Sequence, residues 1–180
     1  MIEVEVKAKI DDFEKMDEKL KKLGAVETKK EFQEDIYFKS PVVDFKKSDE
    51  ALRIRTTKSN DKTNTFITYK GPKIDHESKT RKEIEIAVED AGKCSEIFEN
   101  IGFEKHMNVC KNRRYYSYEN FEISLDDIEG LDPYMEIEIA LDDGSDYSKA
   151  QESIFKLFEK LDVKDNFERT SYLELLEKLY

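Results

Sequence analysis

Apolar and charged residues alternate through the first ten positions, MIEVEVKAKI. Ile2, Val4, Val6, Ala8 and Ile10 share one face, and Glu3, Glu5, Lys7 and Lys9 share the other, which predicts a half-buried strand. The period then lengthens. Phe13, Met16, Leu20 and Leu23 recur at helical spacing, with Asp11 or Asp12 placed to cap the helix and Gly24 to end it. Strand-like residues follow from Ala25 to Lys39, then a polar loop over Pro41 to Glu50. ALRIRTT (51–57) and NTFITYKG (64–71) flank the polar run Lys58 to Lys62, a hairpin pattern. SKTRKEIEIAVE (78–89) alternates again. A short amphipathic helix is expected over Cys94 to Ile101, closed by Gly102. Three more strand patterns occupy 103–118, 120–128 and 134–141. A helix is expected over Ala150 to Leu161, with Ile154, Leu157, Phe158 and Leu161 on one face, and SYLELLEKLY predicts a short final helix. The reading is an α+β chain of about eight mostly antiparallel strands with a few helices, closed into a barrel or strongly curved.

Composition narrows this picture. The 180 residues are 38% hydrophobic and 41% charged, enough for a single domain over 1–180 with a proper core. The net charge of −11 argues against nucleic-acid binding through a general basic surface. A local basic lining inside an acidic shell still suits a polyanionic ligand. Cys94 and Cys110 have neither metal-ligand nor disulfide-framework spacing, so structural thiols in a reducing compartment are expected. Without a targeting segment or long apolar run, the expectation is a soluble, cytoplasmic protein with no membrane contact.

Sorting the strands by face changes the picture most. Arg53 and Arg55 oppose Leu52 and Ile54; Lys70 shares a face with Thr68 and Phe66. Arg81, Glu83 and Glu85 oppose Lys82, Ile84 and Ile86. Lys111, Arg113 and Tyr115 line one face, Glu122, Ser124 and Asp126 oppose Ile123 and Leu125, and Glu136 and Glu138 oppose Ile137 and Ile139. The second face therefore gathers carboxylates (Glu3, Glu5, Glu83, Glu85, Asp126, Glu136, Glu138) and cations (Lys7, Arg53, Arg55, Lys70, Arg81, Lys111, Arg113). If the sheet closes with helices over the aliphatic outside, both signs face one cavity. Burying so many charges is costly unless they meet each other, a metal or a charged ligand. Hard divalent ions take carboxylate and phosphate oxygens, and Arg forks and Lys ammoniums grip polyphosphates. The pattern reads as a metal–polyphosphate site; the rival reading is a wet face laced with ion pairs. No P-loop or dinucleotide fingerprint is present. His76 and His106 read as surface or packing residues, and Tyr115, Tyr116 and Tyr118 as core and rim packing.

EVEVK at 3–7 resembles the ExExK signature of the CYTH superfamily, the triphosphate tunnel metalloenzymes. QEDIYF, ALRIR, TYKGP, RKEIEI, KNRRYY, SLDDIEGL, MEIEI and RTSYLELL follow in order, so the resemblance spans the chain. Within the superfamily the chain is most similar to class IV adenylyl cyclases and their archaeal relatives. The resemblance implies a closed eight-stranded, mostly antiparallel barrel with flanking helices, whose tunnel binds a triphosphate. Glu3, Glu5, Asp126, Glu136 and Glu138 would hold Mg²⁺ or Mn²⁺. Lys7, Arg53, Arg55, Lys70, Arg81, Lys111 and Arg113 would bind the phosphates, all but Arg81 also serving catalysis, and Glu83 and Glu85 would complete the wall. Gly130-Leu131-Asp132-Pro133 departs from the family's Gly-Leu-Gly before the last Glu-x-Glu. The implied activity is the cyclisation of ATP to cyclic AMP and pyrophosphate. Hydrolysis of an inorganic, nucleoside or thiamine triphosphate is the alternative, followed by non-catalytic polyphosphate or nucleotide binding. A homodimer is left open. No adenine pocket or general base is evident from the residues. The architectural expectation is that Glu3, Glu5, Arg53, Arg55, Lys70, Asp126, Glu136 and Glu138 face one cavity. Ile2, Val4, Ile54, Ile137 and Ile139 should lie on the opposite face under helices.

Overall fold

The computed structural model describes residues 2–73, 81–142 and 145–179. The first strand, β1 (Ile2–Lys9), leads into α1 (Phe13–Leu23), whose N-cap is Asp12, accepting the Lys15 N–H at 3.0 Å. Gly24 ends that helix at φ 94°, a left-handed conformation open to glycine. Then come β2 (Val26–Lys39), the short α2 (Phe45–Ser48), β3 (Ala51–Ser59), β4 (Lys62–Lys73) and β5 (Arg81–Val88). The β3–β4 hairpin is tighter than the polar run suggests: Ser59 pairs with Lys62, leaving only Asn60 and Asp61 in the turn. Asn60 takes φ 51°, which two-residue hairpin turns favour. The remainder is α3 (Ala91–Asn100), β6 (Glu104–Tyr118), β7 (Phe121–Ile128), β8 (Tyr134–Leu141), α4 (Tyr147–Lys160) and α5 (Tyr172–Glu177). Ser171 and Glu174 form a reciprocal capping box at the start of α5.

The eight strands close in the order β1-β5-β4-β3-β2-β6-β7-β8, every neighbouring pair antiparallel. Closure removes the sheet edges that would otherwise need covering. At the β1–β5 seam the described register pair is Glu3↔Arg81. Further along β1 the C-terminal segment takes over as partner. Glu168 N donates to Lys7 O at 2.8 Å, Lys9 N donates to Asn166 O at 3.0 Å, and Ala8 bridges Phe167.

The aliphatic faces of β1, β7 and β8 build the main core against α1 and α4. Val4, Ile123, Leu125 and Ile137 are fully buried with Leu20, Ile154 and Phe158. A smaller cluster joins Tyr37, Val109, Ile128 and Tyr134 to Tyr172 and Leu176 of α5. Ile54 and Ile139 are buried as expected, while the side chain of Ile2 lies outside the described residues, as does His76. The helical cover is incomplete at β5, where Ile84 and Ile86 stay 50% and 56% exposed. After β5 the chain turns into α3, which packs on β3 and β6 instead. Cys94 and Cys110 are free thiols. Among the described residues no helix is long and apolar enough to cross a membrane.

Candidate active site

The charged faces converge on a cavity of about 1140 Å³ inside the barrel. Alternation explains the convergence: in a closed sheet every second side chain of each strand points inward. Arg53 and Arg55 enter from β3, Lys70 from β4, Arg81, Glu83 and Glu85 from β5, and Lys111 and Arg113 from β6. Glu3 and Glu5 of β1 and Glu136 and Glu138 of β8 line it as well.

Two expected residues are placed differently. Lys7 and Asp126 are 1% and 0% exposed and are not among the cavity-lining residues. The C-terminal segment accounts for both. Lys7 donates to Thr170 O, and its ammonium lies 4.1 Å from the Tyr172 ring centre and 5.2 Å from that of Tyr134. Asp126 accepts the Tyr172 hydroxyl at 2.7 Å and the Arg113 Nε–H at 2.6 Å. Tyr172, from α5, is thus both cavity wall and lid over these two groups.

The cations are set by buried carboxylates. Asp35, on β2 and 2% exposed, grips Arg55 through two 2.6 Å hydrogen bonds and Arg53 at 3.3 Å. Burial alone would raise its pKa, but Arg55 and Arg53 hold it well below the usual carboxylate range. Arg113 is clamped by Asp126 and Glu136, and the two carboxylates outweigh burial to raise its pKa. Lys111 is held more loosely, 3.5 Å from Asp126; burial and the neighbouring Arg113 bring its pKa down to about 7. Lys70 pairs with Glu83, and burial followed by Arg53 lowers the Lys70 pKa. Arg53 is 7% exposed, and its Nε is buried with no hydrogen-bond partner among the described residues. A buried, unmet donor costs about 1–3 kcal/mol, so it marks a place where an anion is welcome.

The carboxylates have the opposite imbalance. Glu138 lies beside Glu5, Glu3, Glu122 and Glu136, and burial with these neighbours raises its pKa to about 8. Burial and Glu83 likewise raise that of Glu3. Glu122 of β7 pairs directly with Glu138 of β8 and lines the cavity. Such a cluster of hard oxygen donors suits Mg²⁺ or Mn²⁺. Among the described residues no three His, Cys, Asp or Glu side chains form a ready-made cage. Mg²⁺ commonly takes only one or two protein carboxylates and completes its shell with phosphate and water, so the donor set fits.

Asp35, Tyr172 and Glu122 carry positions that the expected site set lacks. Asp35 had a signal, since Gln33, Asp35 and Tyr37 alternate within QEDIYF. Tyr172 had none: a tyrosine in a short terminal helix says nothing about where the helix docks. His106, expected at the surface or in packing, pairs with Glu177 of α5 at the cavity rim.

A closed barrel of eight antiparallel strands, its interior lined by opposed cations and carboxylates, defines a class of charged-tunnel protein. The chain belongs to the CYTH family, whose domain pattern matches residues 1–172. It is 48% identical over 176 residues to a Methanocaldococcus jannaschii protein provisionally named an adenylate cyclase, covering 97% of this chain and 98% of the other. A solved protein of Pyrococcus horikoshii superposes with a TM-score of 0.93 at 42% identity, covering 99% of each chain. The fold extends to a Hippeastrum protein provisionally named an adenylyl cyclase, in which a triphosphatase activity dominates. That likeness has a TM-score of 0.69 at 16% identity and covers 98% of this chain and 95% of the other.

Proposed function

We propose that the protein is a metal-dependent enzyme that binds a triphosphate among the cavity cations, with cyclisation of ATP to cyclic AMP and pyrophosphate as its reaction. The observation that carries this reading is the pairing of opposites in one cavity. Arg53, Arg55, Lys111 and Arg113 are preset on buried carboxylates, facing acidic groups among which burial, together with repulsion from its neighbours, raises the Glu138 pKa to about 8. The wet-face alternative does not account for arginines this buried.

Phosphoryl transfer is mainly positioning and charge stabilisation. Asp35 fixes the Arg53 and Arg55 guanidiniums before substrate arrives, so little reorganisation remains when negative charge develops on the phosphoryl oxygens. Asp126 does the same for Arg113. On this reading Asp126 orients a phosphate-binding arginine, and Glu3, Glu5, Glu136 and Glu138, with Glu122, are the groups that would hold the metal. A bound Mg²⁺ or Mn²⁺ supplies further neutralisation of phosphoryl charge. In the cyclase reaction the ribose 3′-hydroxyl attacks the α-phosphorus and pyrophosphate leaves. The M. jannaschii relative's name supports this choice. The activity of the Hippeastrum protein supports a second reading, in which water attacks the terminal phosphorus of the same bound chain.

Incubating the pure protein with ATP, or with inorganic triphosphate, plus Mg²⁺ or Mn²⁺ and separating the products distinguishes them. Cyclic AMP with pyrophosphate supports the first and orthophosphate the second. No turnover with either metal contradicts both.

A further inference from the structure

The ring of Tyr172 lies against two ammoniums at once. Lys7 Nζ is 4.1 Å from its centre and Lys111 Nζ 4.9 Å. Its hydroxyl donates to Asp126 at 2.7 Å, the carboxylate that also holds Arg113, and Lys111 Nζ stands 3.5 Å from the same group. The ring itself is fixed. Tyr134 meets it edge-on with centres 5.5 Å apart, Leu176 shares its hydrophobic cluster, and the Ser171–Glu174 capping box sets the start of α5. The residues before it are tied to Lys7: Glu168 N donates to Lys7 O at 2.8 Å, and Thr170 O accepts the Lys7 ammonium. At the other end of α5, Glu177 pairs with His106 and, at 3.1 Å, with Lys46.

The cations of the cavity are steadied in two ways. Asp35 holds Arg53 and Arg55, and Asp126 with Glu136 holds Arg113, so each of these guanidiniums has negative charge at its side. Negative charge fixes a cation but also subtracts from the field that draws an anion. An aromatic ring fixes an ammonium through its quadrupole and adds no net charge. Lys111 is where this difference counts. It is 4% exposed and lines the cavity, and Asp126 holds it only loosely. A point charge on a flexible lysine stem is a poor phosphate anchor until something narrows its range. The Tyr172 ring and Asp126 together narrow it. Packing alone asks less: an apolar side chain of similar size would fill the same cluster without the hydroxyl–carboxylate bond or the two ammonium contacts.

We infer that Tyr172 is a positioning residue for the triphosphate site. Its ring is shared by the Lys7 and Lys111 ammoniums and holds the latter at the cavity wall, while its hydroxyl steadies Asp126 and through it Arg113. The inference rests on the triphosphate reading above and adds to it a group from the C-terminal helix that acts through Lys111 and Arg113.

The test is calorimetric titration of the intact protein with tripolyphosphate, in the presence of a chelator so that no metal-dependent turnover intrudes. Tyr172→Leu removes the ring and is expected to weaken binding by about tenfold or more, whereas Tyr172→Phe, which keeps the ring and drops only the hydroxyl, is expected to stay within about threefold of the parent. In a Lys111→Met background, Tyr172→Leu is expected to cost less than about threefold, because the ring has lost the ammonium it positions. Where that background binds too weakly to titrate, the contrast between Phe and Leu decides alone. Melting temperatures show whether the variants fold, and Tyr172→Met, also ringless, stands in if Tyr172→Leu does not. If neither ringless variant folds, the role of the ring is structural and the inference fails. Equal losses in the Phe and Leu variants, no loss in the Leu variant, or a Leu loss undiminished without the Lys111 ammonium also overturn the assignment of Tyr172 while leaving the triphosphate reading standing. Failure of tripolyphosphate to bind the parent overturns the triphosphate reading, and the role of Tyr172 with it.

Discussion

Replacing Asp35 with Asn tests how the barrel tolerates its buried arginines. The side chain keeps its shape but loses the charge that both Arg55 and Arg53 face, at 2.6 and 3.3 Å. Arg53 and Arg55 are then left buried without their counterion, at side-chain exposures of 8% and 13%. Breaking a buried ion pair by removing one partner costs about 3–5 kcal/mol. For a chain of this size each kcal/mol moves Tm by about 2–4 °C, so Asp35→Asn is expected to melt about 6–20 °C lower at pH 7. The acid side has a definite sign. The folded protein holds the Asp35 pKa below its unfolded value, so its contribution is fully present above about pH 3.9 and is lost as pH falls toward the folded pKa. The gap between parent and variant should narrow by about 1 kcal/mol at pH 3. Urea unfolding at both pH values, read by circular dichroism, supplies the free energies. A loss below about 1 kcal/mol at pH 7 would refute the reasoning, because it would mean that solvent already screens these arginines. Adding tripolyphosphate should restore part of the loss, since the phosphates give Arg53 and Arg55 a new counterion.

Three further outcomes are expected. Glu138 has a folded pKa of about 8, above its unfolded value, so the metal-free protein favours its neutral form and should lose stability as pH rises from about 5 to 8. Glu138→Gln should flatten that slope in thermal melts; an unchanged slope contradicts the acidic-cluster account. In the parent, Mg²⁺ or Mn²⁺ at pH 8 should raise Tm by neutralising the same cluster, and Glu138→Gln should reduce that rise; an equal rise in both removes Glu138 from the metal-binding set. Lys82, exposed on the outer face of β5, is the control: Lys82→Gln should alter stability by no more than about 0.5 kcal/mol and leave turnover unchanged.

Much of the architecture was legible because period-two alternation reports faces directly. Val4, Ile137 and Ile139 lie outside under helices, and Glu3, Arg53 and Glu138 line the interior. Alternation does not report depth. Lys7 and Asp126 lie on the charged faces of their strands, yet Tyr172 covers them, and nothing local in RTSYLELL says that α5 plugs the barrel there. Asp35 was obscured for a different reason. Glu31, Gln33, Asp35 and Tyr37 are buried in alternation, but Glu34 beside Asp35 puts two acids side by side, so the charge pattern along β2 does not single out the inward one. The exposed Ile84 and Ile86 show the reverse failure: an aliphatic face predicts an outside, but not that a helix covers it.

The most direct test of the central claim is a crystal structure grown with Mn²⁺ and a non-hydrolysable ATP analogue. The account predicts triphosphate oxygens against Arg53, Arg55 and Arg113. It also predicts an anomalous manganese peak bonded to carboxylate oxygens from the Glu3, Glu5, Glu122, Glu136 and Glu138 group. A triphosphate bound outside the barrel, or an interior without ligand at saturating concentrations, would contradict it.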